Sequence, residues 1–298
     1  MLILLAVLPM LFVSSAGLLV NVYLFIKFFS KIPDASREFN KLCHAKTIPN
    51  ILVCGAFLFW ATPLSTLNLK LEDVAVFPNV LLGQIGITGP YVARPIIQMF
   101  MGVNIWFTVY FPLRKLQMRV HWVTNAALVV VLILITGYVI RNMTPLSCGA
   151  YYDPQLFIWT SESECSIELY NITAIIVVCF SIISNFFTTT TLVKLCYDRV
   201  GGLSSGALVT RRKRRVRLFI QSLCQDCLHI IDVINWKIIT TLSFEIWFQF
   251  VFSSMSLLLI HALDGFVMLY FHSELHPKFL KRGNRNRTRE VIITLSHT

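Results

Sequence analysis

Charge is scarce in this chain, and acidic charge most of all. Its 298 residues include 15 Asp and Glu against 26 Lys and Arg, and charged residues make up 14%. Ordinary soluble domains carry about 25%. With 56% hydrophobic residues and a mean hydropathy of +0.68, the chain is too apolar for a water-soluble globule. The same composition excludes disorder, which needs low hydrophobicity. Gly/Ser-rich and Pro-rich linkers are missing, and no repeat relates the two halves. His-Glu-x-x-His, Gly-x-Ser-x-Gly and paired His-rich boxes are missing too, so an enzyme is not expected. Nor is a cofactor or a bound metal expected: Cys224-x-x-Cys227 has no second pair, and most of the eight cysteines sit inside apolar stretches.

What the chain has is long apolar runs. A helix needs about 20 such residues to cross a hydrocarbon core of about 30 Å. Seven stretches qualify: Leu2–Ile26, Thr47–Leu69, Val80–Phe111, Trp122–Ile140, Leu169–Val193, Val216–Leu242 and Ile246–Phe271. They are too long for barrel strands, so the expected fold is all-α, a polytopic bundle of seven transmembrane helices. The first run has no basic residue before Lys27 and is long for a signal peptide, so it reads as a retained span. The bundle takes residues 1–275 and leaves a basic tail at 276–298.

Basic residues set the orientation. The first, third and fifth connections and the tail hold 22 of the 26 Lys and Arg residues, counting Lys41 and Lys46 in the first connection. The N-terminus is therefore expected outside and the tail in the cytoplasm. The net charge of +11 is explained this way, with the lipid bilayer as partner and no role for nucleic acid.

Several residues are out of place in apolar runs. Arg94 is the most expensive, since a charge near mid-bilayer costs about 2.5–3.5 kcal/mol on insertion scales. It lies between Pro90 and Pro95, which predicts a kinked or unwound helix there. Such a residue faces the bundle interior and pairs with an acid or meets a ligand. Asp226 and Asp232 on the sixth span are the candidate acids, and Asp232 is favoured by its height along the helix. Gln98 and His229 join Arg94 and Asp232 as candidate ligand or ion-pair residues. Asn21, Asn50, Asp226, His261 and Asp264 could form a polar core. Gly17-x-x-x-Asn21 permits close helix approach. Cys148 and Cys165, expected on the oxidising side, are either paired or two free thiols, and pairing is the commoner state there. Asn142 and Asn171 head acceptor sequons on the side expected to be outside.

An ordered set of short motifs carries a family likeness. Phe39, Cys43 and Asn50 lead to Phe59-Trp60-Ala61-Thr62-Pro63 and then Gly83-Gln84. Asn104 through Tyr110-Phe111-Pro112 follows, then Cys148, Tyr151-Tyr152-Asp153, Trp159 and Cys165. Gln221, Gln225 and His261-Ala262-Leu263-Asp264-Gly265 complete the set. From about Gly17 to Arg282 the chain resembles the nematode serpentine chemoreceptors of class x. The resemblance implies a chemosensory G-protein-coupled receptor in the plasma membrane, in a sensory cilium. It would bind an unknown external small molecule or peptide within the bundle and signal to a heterotrimeric G protein. Asn104, Arg114, Arg211, Arg212, Arg214 and Arg215 would face that partner. The chain departs from the family by reading Asn104-Ile105-Trp106 where Asn-Arg-Phe is expected, which bears on coupling and not on the fold. A transporter or channel is the alternative, but the Pro90/Pro95 break has no mate in the other half.

Overall fold

A computed structural model describes residues 2–30, 37–111, 114–144, 148–161, 163–200, 206–272 and 275–276. Side chains are not described at 2, 37, 114–121, 196, 198–200 and 206–215. Seven helices account for most of the described residues. They are α1 (Leu2–Ser30), α2 (Arg37–Ala56, extended by Phe57–Ala61 and Thr62–Thr66), α3 (Val76–Leu82, Gly83–Thr88 and Gly89–Tyr110), α4 (Arg114–Asn142), α5 (Glu164–Val200), α6 (Gly206–Lys237) and α7 (Ile246–Gln249, Phe250–Met255 and Ser256–Phe271). Six of them are long and apolar enough to cross a membrane. The exception is α6, loaded with Arg217, Asp226, His229, Asp232 and Lys237. It completes the bundle by packing on α3, α5 and α7.

Apolar residues cover the outside of the bundle. Phe12 and Leu19 of α1, Leu132 and Ile133 of α4, and Ile182 and Phe186 of α5 are exposed. Water would not tolerate patches of this kind, whereas lipid does. Inside, two apolar clusters lie toward opposite ends. One gathers Leu24, Phe28, Leu42, Met101 and Met268; the other gathers Met10, Val53, Phe57, Phe250 and Leu258. Along α1, α2 and α7 the residues between these clusters are polar: Asn21, then Lys46 and Asn50, then His261 and Asp264.

Helix contacts in that layer are close because small residues permit them. A Cβ on Gly17 would stand 2.7 Å from the Ala262 Cβ and 2.8 Å from the Cys54 sulfur. A Cβ on Gly265 would stand 2.6 Å from the Asn21 amide nitrogen. The glycines let α1 and α7 meet with their polar groups in bonding range.

Three helices carry a wide, π-type turn. In α2 it precedes Pro63, and in α3 it precedes Pro90. A proline removes an N–H and clashes with the carbonyl four residues back, so the turn ahead of it widens. Of the kink or unwinding expected between Pro90 and Pro95, the unwinding is corrected. The helix runs unbroken through Arg94, and the distortion lies one turn earlier, at Gly83–Thr88.

A short hairpin that composition did not announce caps one end of the bundle. β1 (Tyr151–Asp153) pairs antiparallel with β2 (Ile158–Thr160). Asp153 turns the chain by accepting backbone N–H bonds from Gln155 (2.8 Å) and Leu156 (3.2 Å). Cys148 and Cys165 are joined in a disulfide that ties the hairpin to the start of α5. The Asn79 side chain donates to the Tyr152 carbonyl (2.9 Å) and accepts from its N–H (3.0 Å). The Tyr152 hydroxyl meets the Ser65 hydroxyl at 2.7 Å, and burial pushes its phenol pKa up. Gly83 lets the segment descend, because a Cβ there would lie 2.0 Å from the Ala150 carbonyl oxygen.

Candidate functional site

Beneath the hairpin lies a cavity of about 490 Å³. Its walls come from α3 (Gln84, Thr88, Tyr91), α4 (Tyr138, Asn142), α5 (Tyr170, Thr173), α6 (Asp232, Trp236) and α7 (Ser253, Ser254, Leu257), with Ile158–Ser161 as a lid. That is the size of a pocket for a small organic molecule. The lining is aromatic on one side: Trp236 packs on Tyr91 at 5.5 Å and on Tyr170 at 4.1 Å between ring centroids.

Six lining residues carry a buried polar atom with no hydrogen-bond partner among the described residues. They are the Gln84 and Asn142 side-chain oxygens, the Tyr91 and Ser254 hydroxyls, the Trp159 indole N–H and Asp232 Oδ2. Buried polar groups are nearly always satisfied, because an unmade hydrogen bond costs about 1–3 kcal/mol. All six belong to residues that line one cavity.

Below the cavity is a buried charged network. The α3 residues Tyr91, Arg94 and Gln98 share a face at i, i+3 and i+7. Asp264 of α7 is its hub. Lys46 Nζ lies 3.2 Å from Asp264 Oδ1, and Arg94 Nη2 lies 3.6 Å from the same oxygen. Asn50 donates to Asp264 Oδ2 (2.9 Å) and to Asn21 Oδ1 (3.0 Å). Asn21 also donates to the Gly17 carbonyl at 2.8 Å. Lys46 donates to the Gln98 side-chain oxygen, and Gln98 donates onward to the Ser222 hydroxyl (2.9 Å) and carbonyl (3.0 Å) on α6. Asp226 of α6 accepts from Ser184 (3.0 Å) and Thr188 (3.3 Å) of α5. Polar side chains thus bind α1, α2, α3, α6 and α7 together, and Asp226 carries the set on from α6 to α5.

Several expectations change. Arg94 is buried, but the acid it reaches is Asp264 and not Asp232. Height along a helix can be counted from sequence; the direction of a long side chain cannot. Asp232 instead accepts from Ser256 at 3.2 Å, and its other oxygen is buried with no hydrogen-bond partner among the described residues, on a residue that lines the cavity. Gln98 belongs to the network and does not line the cavity. His229 is buried beside Tyr91, 6.0 Å between rings, and is not a lining residue. His261 hydrogen-bonds the Leu257 carbonyl at 2.9 Å within its own helix. Of the two sequon asparagines, Asn142 is 2% exposed and Asn171 is exposed, and both line the cavity. Asn104 is buried and does not face outward. Ile105, standing where Arg was expected, packs in the apolar cluster with Val109, Leu195 and Phe219. The side chains of Arg114, Arg211, Arg212, Arg214 and Arg215 and the tail from 277 lie outside the described residues.

Lys46 was missed as a site residue. Counted with the first connection, it is instead inside α2 and 0% exposed. The available signal was Lys46-x-x-x-Asn50, two polar residues on one helix face leading into an apolar run.

Compared with known families, the chain matches the sequence model of one described as serpentine type 7TM GPCR chemoreceptor Srx, over residues 11–272. No curated protein matches the chain.

Proposed function

The chain belongs to the serpentine type 7TM GPCR chemoreceptor family Srx, and from that membership we propose that it is a receptor for an external small molecule bound in the cavity under the hairpin. The observation that carries this reading is the ring of six unpartnered buried polar groups around a cavity of about 490 Å³. In this reading the hairpin end faces outside, together with the N-terminus, and the basic connections and tail face the cytoplasm. The concentration of basic residues at one end and the disulfide at the other both support that orientation.

Signalling follows from the position of the network. A ligand shifts the bundle between two arrangements only by binding one of them better. Contact with Tyr91, Ser254 or Asp232 pulls on α3, α6 and α7, the helices that the Arg94, Gln98 and Asp264 contacts hold together lower down. Rearranged lower contacts would move the cytoplasmic ends of α3 and α6, where a G protein docks. Arg211, Arg212, Arg214 and Arg215 at the start of α6 and Arg114 at the start of α4 supply positive charge for that surface, with a plasma-membrane and sensory-cilium location in keeping. Ile105 in the apolar core removes a cation from this end, so coupling is expected to be weak.

The test is a compound screen on cells that express the chain with a reporter of cytoplasmic signalling. A compound that triggers the wild type should fail on Ser254→Trp, which fills the cavity, at equal surface level. A response that survives in the filled variant contradicts the reading.

A further inference from the structure

The cavity's polar lining is lopsided. Among its unpartnered atoms, Gln84, Asn142 and Asp232 offer acceptor oxygens, Tyr91 and Ser254 offer hydroxyls that serve either way, and Trp159 alone is obliged to donate. One acceptor is a carboxylate oxygen on a side chain that is 1% exposed. A buried carboxylate needs a cation or several donors. Asp232 has a single hydrogen bond, from Ser256 to its other oxygen. No Lys or Arg among the described residues reaches it within ion-pair distance; Arg94 and Lys46 both converge on Asp264. The neighbouring wall is aromatic, built from Tyr91, Trp236 and Tyr170. Lys237 Nζ already lies over the Tyr170 and Trp236 rings, 4.0 and 4.6 Å from their centroids, so the wall's part is to pack a ligand's apolar body and the carboxylate's is to hold its charge.

We propose that the cavity's ligand is a small protonated amine on an apolar body, its ammonium held by Asp232 Oδ2 and its body packed against Tyr91 and Trp236. The proposal rests on the reading of the cavity as the ligand site and adds the chemical class. The ammonium supplies donors to the unpartnered oxygens of Asp232, Gln84 and Asn142. An acidic ligand would face Asp232 across the cavity, while Arg94 is turned to Asp264 and Lys237 lies over the Tyr170 and Trp236 rings, neither being a lining residue.

The experiment is equilibrium binding to the purified full-length chain in detergent. It uses three probes of one shape: phenethylamine, phenethyl alcohol and phenylacetate. The wild type should bind the amine best and phenylacetate least. Asp232→Asn should cut amine affinity about ten- to hundredfold, as loss of a charge-assisted hydrogen bond does, and leave the alcohol nearly unchanged. Asp232→Glu, which keeps the charge, should retain most of the amine affinity and guards against loss through misfolding. Thr88→Trp, which crowds the cavity, should remove binding of all three. Equal binding of the three probes, amine binding that survives in Asp232→Asn, or no amine binding to the wild type each overturns the amine assignment. Amine binding that survives in Thr88→Trp removes the cavity itself as the site, and with it the receptor reading. Asp232-dependent binding without any cellular response would leave the amine assignment standing and defeat the receptor reading alone.

Discussion

At the residue scale, Asp264 decides more than any other side chain. Two cations share its carboxylate, so removing it strands both in low dielectric. Asp264→Asn should therefore cost roughly 3–5 kcal/mol, the range for breaking a buried pair. Lys46→Met should cost less, because Arg94 still neutralises the acid and a methionine fills the space. Thermal unfolding of the two variants in detergent orders them; a Lys46→Met that melts below Asp264→Asn would contradict the hub role of the acid. Gly83 is the second decisive residue. With a Cβ only 2.0 Å from the Ala150 carbonyl oxygen, Gly83→Ala must push the hairpin off α3. Overpacking of this kind costs about 1–3 kcal/mol. Limited proteolysis should cut Gly83→Ala between 148 and 161 well before the wild type. Much of this site is legible one residue at a time. Arg94, Asp232, Asp264, Asn21 and Asn50 announce themselves as polar groups in apolar runs, since lipid gives such groups no other partner than each other. Lys46 does not, because a basic residue near a helix end has a simpler explanation in topology. The partner of Arg94 does not either: Asp226 and Asp232 are the candidate acids in sequence, and packing brings Asp264 of α7 to it instead.

At the element scale, all seven helices show as apolar stretches, but α6, read from Val216–Leu242, is the most polar and falls short of the apolar length that the other six reach. Its amphipathic build is the reason: one face carries Ser222, Gln225, Asp226, His229 and Asp232, all buried, while Ile220, Leu223 and Ile234 are exposed. The helix starts are less legible. α2 begins at Arg37 and α5 at Glu164, earlier than their apolar cores, because helices project beyond the hydrocarbon into polar sequence. The hairpin over the cavity has three-residue strands, too short for any alternation to signal them. What was legible is its anchor, Cys148 to Cys165, seventeen residues apart. A closed loop of that length stabilises by roughly 3 kcal/mol in the chain-entropy model. Cys148→Ser should loosen the lid, lower the melting temperature and weaken binding of any cavity ligand, while Cys227→Ser, on an exposed free cysteine, should do neither. Equal effects of the two substitutions would show that the disulfide does not hold the lid.

At the scale of the whole molecule, the fold divides into a lid and cavity at one end, a polar layer in the middle and basic connections at the other. That division has meaning for a receptor only if the cavity opens to the outside. The orientation itself predicts that an epitope on the C-terminal tail is protected from protease added outside intact cells, and cleavage of it would reverse the bundle. The most direct measurement is thiol labelling of intact cells with a charged, membrane-impermeant methanethiosulfonate. Thr88→Cys and Ser253→Cys place thiols on the cavity wall, and Ser222→Cys places one inside the network, where Gln98 joins α3 to α6. A charged reagent reacts only where water reaches, so lipid-facing cysteines stay silent and the wild-type chain sets the background. Labelling of Thr88→Cys and Ser253→Cys from outside, with none at Ser222→Cys, is the expected result; labelling at Ser222→Cys alone, or at none of the three, would contradict a ligand cavity open to the exterior.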